Sequence, residues 1–418
     1  MSPLGAMLDA EIVIVGGGPA GISTALFLAR AAPRLAERIV VLERATYPRE
    51  KICAGAIGAR ADRLLASIGV RVDVPSVSIH GLSVDASGRR LAARADGGPI
   101  GRVVRRFEFD HAFAREAMAR GIRVRDGVKV TGLVIGEHDA RIETSIGEIR
   151  ARAVIGADGV GSVVRRALGL PRGAFMAQAV EVDTPDARGD GPRDILHFDM
   201  AARGLPGYAW DFPTLVHGRP MVCRGIYELR AEGVPERAAT EPAPAERLLA
   251  RASDQGAAVP ASSLRRFAER GLSLHEPFAR PRVLLVGEAA GIDPALGEGI
   301  AQAIQYGSVA GPYLARALEA GDLSFASFPA VLRESRLGLD LRLRARAAPF
   351  VYGGARPVIE RWVTRSHALA RAGMDYFAGE RVDRRALGRS ALDLGVALFG
   401  WALDQARFTW APRSGASP

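Results

Sequence analysis

The chain reads as an α/β protein: a discontinuous Rossmann-like domain, a sheet-rich (α+β) insert and a helical C-terminal region. Three observations predict this. Short β-branched apolar runs recur (Glu11–Val15, Ala153–Ile155, Val283–Val286), each stopping at a glycine or an Asp-Gly corner. Residues 172–271 change to strand-like stretches with many Pro and Gly, and residues 329–418 return to helical spacing.

Glu11-Ile12-Val13-Ile14-Val15 has the composition of a buried parallel strand and runs directly into G-x-G-x-x-G at Gly16, Gly18 and Gly21. Gly16 allows a tight turn, Gly18 lets the backbone approach a pyrophosphate, and Gly21 lets the following helix lie close on the strand. Pro19 and Ala20 open that helix; the missing N–H of Pro19 costs nothing in a first turn. The free N–H groups there face an anion with the helix dipole behind them. A second strand, Ile39–Leu42, ends at Glu43, roughly 20 residues past the glycines, where an acid accepts from a ribose hydroxyl. Ile12–Ala29 carries no charge, but its glycines and Pro19 argue against a membrane span.

Asp110–Arg120 reads as a helix with Phe113, Ala117 and Met118 on one face. Strands follow from Gly121 to about Glu148, and Ala153–Asp158 is another buried strand, ending in Gly156-Ala157-Asp158-Gly159. Such a corner orders ribose and pyrophosphate contacts, although Asp-Gly is also common turn chemistry. A helical piece spans about Ala245–Ala252, after the short turn Glu241–Pro244. The strand Val283–Val286 then leads into Gly287-Glu288-Ala289-Ala290-Gly291, where Glu288 can accept from ribityl hydroxyls. A long helix, Ile300–Ala320, opens at Gly299 after Gly297, its positive end toward a flavin ring. Three such motifs in this order describe one dinucleotide pocket, and FAD is the dinucleotide expected in it. The domains expected are 1–75, 102–171 and 272–328 for FAD binding, 76–101 and 172–271 for the sheet-rich substrate domain, and 329–418 for the helical C-terminal region.

Composition frames the partners. With 418 residues, 48% hydrophobic and 24% charged, the chain has ample core for two or three domains. Its net charge of +10 would suggest nucleic acid or an anionic surface, but only Lys51 and Lys129 are lysines among 56 basic residues, an arginine bias that reads as genome composition. No nucleic-acid motif is visible and no nucleic-acid partner is expected. Cys53 and Cys223 form no disulfide framework, and the seven histidines show no metal-ligand spacing. Met1–Ala10 lacks a charged n-region and a cleavable apolar stretch, so a cytoplasmic enzyme is expected.

From residue 11 to about 306 the chain resembles the p-hydroxybenzoate-hydroxylase-like flavoprotein superfamily and, within it, the geranylgeranyl reductase family, which saturates isoprenoid double bonds. Pro48-Arg49-Glu50-Lys51-Ile52-Cys53 resembles that family's P-R-x-K-x-C segment, and Tyr208-Ala209-Trp210-Asp211-Phe212-Pro213 fits its Y-x-W-x-F-P motif. Arg106-Phe107-Glu108-Phe109-Asp110 resembles its R-x-x-F-D element, whose arginine holds FAD. The resemblance implies a catalytic set of Cys53, Tyr208 and Trp210, a substrate pocket at Trp210 and Phe212, and cofactor contacts that include Arg44, Cys53, Ala54, Arg106 and Val130. Tyr208, Trp210 and Phe212 alternate, so they share one strand face and can wall an apolar cavity; an aromatic sheet core is the competing reading. Cys53 is either close to the flavin and the reacting carbon or a packing cysteine, and Lys51 either a cationic partner or a solvated loop lysine.

The chain departs from the family pattern at Glu288, where Asp is usual, at Ala54-Gly55-Ala56, and in the spacing from Gly291 to Pro294. Two other functions stay open beside the reductase: an NAD(P)H-dependent hydroxylase of an aromatic or polyketide substrate, and a quinone-linked electron-transfer flavoprotein. The electron donor is NAD(P)H or ferredoxin, the substrate an apolar small molecule. Leu394–Leu403, ten apolar residues between Asp393 and Asp404, are too short to span a bilayer. They are expected as a helix over the substrate mouth, with docking at a peripheral membrane surface, or a reductase partner, as the alternatives.

Overall fold

A computed structural model describes residues 9–171, 173, 175–200, 204–273 and 276–410, with side chains as far as residue 402. Most of the leader Met1–Ala10 lies outside the described residues.

The apolar runs assemble into one twisted sheet. Its parallel core is ordered Val283–Leu285, Gly147–Gly156, Ala10–Val15, Ile39–Leu42 and Arg123–Arg125. These strands are wholly buried where they read as continuous Val, Ile and Leu, as expected when helices cover both faces. Register aligns their ends: Val15 pairs with Gly156 and with Leu42, and Gly156 with Leu285. The Gly16 to Gly21, Gly156 to Gly159 and Gly287 to Gly291 segments therefore leave from adjacent carboxyl ends, where open α/β sheets bind ligands.

The helix Pro19–Ala31 packs along Ile300–Ala320 with unusual closeness. A Cβ on Gly307 would lie 2.3 Å from Ser23 Oγ, and one on Gly311 2.6 Å from the Phe27 and Leu28 backbone. Two glycines four residues apart thus share the face that meets the first helix.

A second, seven-stranded sheet runs in the order Arg265–Arg270, Met176–Thr184, Arg219–Arg230, Gly207–Val216, Ile195–Asp199, Gly81–Ala86 and Arg89–Arg94. One face is covered by the helix Pro244–Asp254 through Leu248, against Val180, Val182, Ala209 and Ile226. The opposite face carries the aromatic residues and meets the C-terminal helices. A small third sheet joins Ala56–Gly58, Gly101–Val104 and Ser76–Ile79.

Two local expectations change. The third helix begins at Arg106 rather than Asp110, and Met118 is 42% exposed while Phe113 and Ala117 are buried. At 3.6 residues per turn the buried stripe is 106, 109, 110, 113, 114 and 117, and residue 118 faces away from it. Leu394–Leu403 lies within a helix, Arg384–Trp410, packed on the helices Arg356–Val363 and His367–Ala378, not on the aromatic face. Ala397 is buried there while Val396 and Phe399 are 64% and 67% exposed; the Leu403 side chain lies outside the described residues. The aromatic face is instead covered by Arg336–Tyr352 and His367–Ala378, which contribute Ala348, Tyr352, Met374 and Ala378.

Candidate cofactor and substrate site

The glycine loop divides its labour. Gly16 has φ +109°, and a Cβ on it would meet the Ala157 carbonyl oxygen at 2.3 Å; a Cβ on Gly21 would lie 1.9 Å from the Gly16 carbonyl oxygen. Both are glycine because backbone approaches backbone. Gly18 differs: a Cβ there would find only the guanidinium tips of Arg106 and Arg49, at 3.7 and 3.8 Å. No side chain among the described residues caps the helix that starts at Pro19, and no acid lies in its first turn. An open concavity floored by free N–H groups and roofed by two arginines suits a diphosphate, so the residues present fit FAD.

Both arginines are held by one carboxylate. Arg106 donates to Asp110 from Nε at 2.6 Å and Nη2 at 2.7 Å, four residues along the same helix, and Arg49 Nη2 lies 2.9 Å from Asp110 Oδ2. Asp110 is fully buried. Glu43 accepts from the Gly17 and Ala45 N–H groups, each at 3.1 Å, and lies 3.3 Å from Arg49 Nε. It braces the loop, and its remaining lone pairs are available to a ribose. The Tyr47 hydroxyl closes the same corner on the Gly17 carbonyl.

At the neighbouring strand ends, Asp158 Oδ2 accepts from the Val163 N–H at 2.6 Å, while its buried Oδ1 has no partner among the described residues. Burial pushes its carboxyl up. Glu288 is likewise pushed up by burial, countered by Lys51 and by the backbone at Arg270 and Val160. The loop Asp293–Gly299 that precedes the long helix is tightly fixed. Asp293 Oδ1 accepts from Ala295 and Leu296 at 2.8 and 3.1 Å. Tyr208 donates to the Leu296 carbonyl at 2.5 Å and Tyr352 to the Ala295 carbonyl at 2.6 Å. Arg344 bonds Asp293 and stands 3.4 Å from Glu298.

Tyr208, Trp210 and Phe212 share one buried face. Tyr208 stacks on Tyr227 at 5.2 Å between centroids, and Phe198 meets Phe212 edge-on at 5.2 Å. Trp210 lies across Gly225, its cross-strand partner. Asp211, pointing the other way, is structural: it takes two 2.6 Å bonds from Arg251 on the covering helix. Cys53 is half-buried between this wall and the cradle, beside Arg106, Glu181 and Glu269. Burial pushes the thiol up, so it stays protonated despite Arg106.

The remaining expected residues are placed as follows. Pro19, Ala20, Val130 and Ile300 are buried, Ala54 is half-buried and Arg44 is exposed at the end of the second strand. Gly297 has φ +67°, and Gly299 caps the long helix. Lys51 is half-buried and within electrostatic reach of Glu269 and Glu288, not a solvated loop lysine. The sequence reading missed Asp110 as the carboxylate that orients both arginines, although Arg106 and Asp110 stand at helical i, i+4 spacing. It also missed Glu181, Glu269, Gly225, Arg344 and Tyr352, whose roles depend on strands and helices distant in sequence. A groove of about 770 Å³ on the helical tail, bordered by Arg94, Arg365 and Arg371, is separate from this site.

The sequence profile of the FAD binding domain family matches residues 9–325. A menaquinone reductase of Mycolicibacterium smegmatis is 27% identical over 341 residues, 78% of this chain and 80% of that protein. Digeranylgeranylglycerophospholipid reductase 1 of Methanopyrus kandleri is 29% identical over 344 residues, covering 77% and 84%. Other relatives match over 220 residues only, so that the aligned part of the chain spans about half of their length (53% and 52%). Among solved structures, a geranylgeranyl bacteriochlorophyll reductase-like protein from Thermoplasma acidophilum superposes with a TM-score of 0.66 at 20% identity, over 92% of this chain and 96% of that one, which shows a common fold. These matches agree with the resemblance to geranylgeranyl reductases.

Proposed function

The chain belongs to the FAD binding domain family and is an FAD-dependent oxidoreductase, and from that premise we propose that it saturates a carbon–carbon double bond of an apolar, isoprenoid-derived substrate. Bound FAD, once reduced, supplies the hydride. The chain's own residues do the rest. Arg106 and Arg49 neutralise the diphosphate above Gly18, Glu43 and Asp158 accept from sugar hydroxyls, and the start of the helix at Ile300 favours negative charge on the ring. Tyr208, Trp210 and Phe212 present an apolar wall, and Tyr352 and Met374 from the tail help to exclude water from it.

One observation carries this reading: the aromatic wall is tied to the loop before the long helix by the Tyr208 hydroxyl on Leu296. That link supports placing an apolar wall beside the segment that would meet the ring. NAD(P)H or ferredoxin is proposed as the donor. No described helix is long and apolar enough to cross a membrane. A cytoplasmic site of action is proposed, with the exposed Val396 and Phe399 favouring contact with a lipid surface that presents the substrate.

The test is a single turnover under nitrogen. Chemically reduced holoenzyme mixed with geranylgeraniol is expected to reoxidise and yield a product two hydrogens heavier. A product formed only with oxygen, and carrying an oxygen atom from it, overturns the reductase in favour of the hydroxylase.

A further inference from the structure

Adding a hydride to one carbon of a double bond leaves the other carbon in need of a proton, so a reductase of this type requires an acid at the apolar wall. Most polar groups on that wall are already committed. The Tyr208 hydroxyl donates to Leu296 and the Tyr352 hydroxyl to Ala295. The indole N–H of Trp210, beside the Cys223 thiol, has no hydrogen-bond partner among the described residues but is far too weak an acid to give up a proton, and that thiol donates to Glu181 at 3.7 Å. Glu181 is engaged further by Arg265 at 3.4 Å.

Glu269 is the uncommitted carboxyl on this face. It stands on the strand Arg265–Arg270 opposite Ala177, two residues from Phe267, and so on the same sheet face as the aromatic residues. Its Oε2 is shielded from solvent and has no hydrogen-bond partner among the described residues. A Cβ on Gly297 would lie 2.6 Å from that oxygen and 2.9 Å from the Tyr227 ring. The carboxyl therefore abuts the loop that leads into the long helix, with the Cys53 thiol within electrostatic reach on the other side.

We infer that Glu269 is the proton donor of the reaction, a role that rests on the reductase reading above. The alkene π bond breaks as one carbon takes a hydride from the reduced cofactor and the other takes the Glu269 carboxyl proton. The alkene is reduced, FAD is oxidised, and the carboxylate left behind regains its proton from water. Burial, together with the negative charges of Glu288, Asp293 and Glu181, pushes this carboxyl well above the usual carboxylate range, while Lys51 pulls it down. The shift favours the protonated form, the state a donor needs.

Two variants and two readouts test this. Without substrate, the infrared carbonyl stretch of protonated carboxylic acids is expected in the wild type at neutral pH and to lose intensity in Glu269→Gln, the remainder coming from the other buried carboxyls; equal spectra overturn the proposal. With reduced holoenzyme and geranylgeraniol under nitrogen, Glu269→Gln is expected to bind FAD normally but to reoxidise on the order of 10²–10⁴-fold more slowly. Glu269→Asp is expected to recover part of the rate, with a solvent deuterium effect that a packing role would not produce. If Glu269→Gln cannot take up FAD, the Glu269→Asp rate and its isotope effect decide. Reoxidation of the Gln variant at the wild-type rate overturns the Glu269 assignment alone. A wild type that is not reoxidised at all overturns the reductase reading, and the assignment with it.

Discussion

Trp210 lies so closely on Gly225 that a Cβ at residue 225 would fall 2.0 Å from the indole Cζ2 and 2.3 Å from Cη2. The two residues are direct cross-strand partners, so the ring occupies the space its partner leaves empty. Gly225→Ala is expected to displace the indole and lower turnover while the flavin spectrum stays normal. Trp210→Ala is expected to cost about 3–5 kcal/mol of stability, read by denaturant unfolding. Because the clash needs both partners, Gly225→Ala should cost far less in the Trp210→Ala background; additive losses would show that the ring does not rest there.

The glycine loop predicts opposite outcomes for the same substitution. Gly18→Ala places its methyl where the nearest atoms are guanidinium tips at 3.7 and 3.8 Å, so the apoprotein should melt close to the wild type but take up FAD poorly. Gly21→Ala drives a methyl to 1.9 Å from the Gly16 carbonyl oxygen and should unfold the apoprotein itself. Gly18→Asp, which adds a repelling charge, should be colourless on purification.

Glu181 predicts a pH dependence. Burial pushes its carboxyl up to about 7, against about 4.3 in an unfolded chain. Between those values the folded state keeps a proton that the unfolded state has lost, so this group lowers stability as pH rises across that window and no further above it. The loss is on the order of 4 kcal/mol. Glu181→Gln, which cannot ionise, should gain in melting temperature relative to the wild type as pH goes from about 4.5 to about 8. A constant difference across that range would mean that Glu181 is ionised throughout.

Arg344 links the tail to the loop before the long helix. It bonds Asp293, whose side chain has no solvent exposure, and stands 3.4 Å from Glu298 and 3.0 Å from Asp340. Arg344→Met leaves a buried carboxylate without its cation, at an expected cost of about 3–5 kcal/mol, and should weaken FAD uptake through the displaced loop. Truncation after Arg389 acts farther away, through the 2.8 Å bond from Trp362 to the Ser390 carbonyl and the 2.5 Å bond from Ser366 to Asp393. It should impair turnover more than FAD binding. Complete loss of FAD on truncation would place the tail in the cofactor fold.

The amino-acid sequence by itself determined the FAD-binding strands, their glycine turns and the alternating aromatic stripe. Each of these is a local pattern: a β-branched run, a backbone that needs φ above zero, or side chains spaced by two. The long helix Ile300–Ala320 was legible from its length of helical spacing after Gly299, although Gly307, Gly311 and Pro312 lie within it. Other assignments needed the fold. Arg106 and Asp110 stand at i, i+4 spacing, but the helix was expected to start only at Asp110, and the grip of Asp110 on Arg49 from another segment has no local pattern. The apolar run Leu394–Leu403 looked like a cover for the aromatic face, whereas Ala348, Tyr352, Met374 and Ala378 pack there. A helix's own pattern states that it has an apolar face, not which surface that face meets. Glu269 and Glu181 look like ordinary strand acids in sequence. Their buried, perturbed state comes from which residues the sheet register and the Asp293–Gly299 loop bring against them, and those lie tens of residues away along the chain.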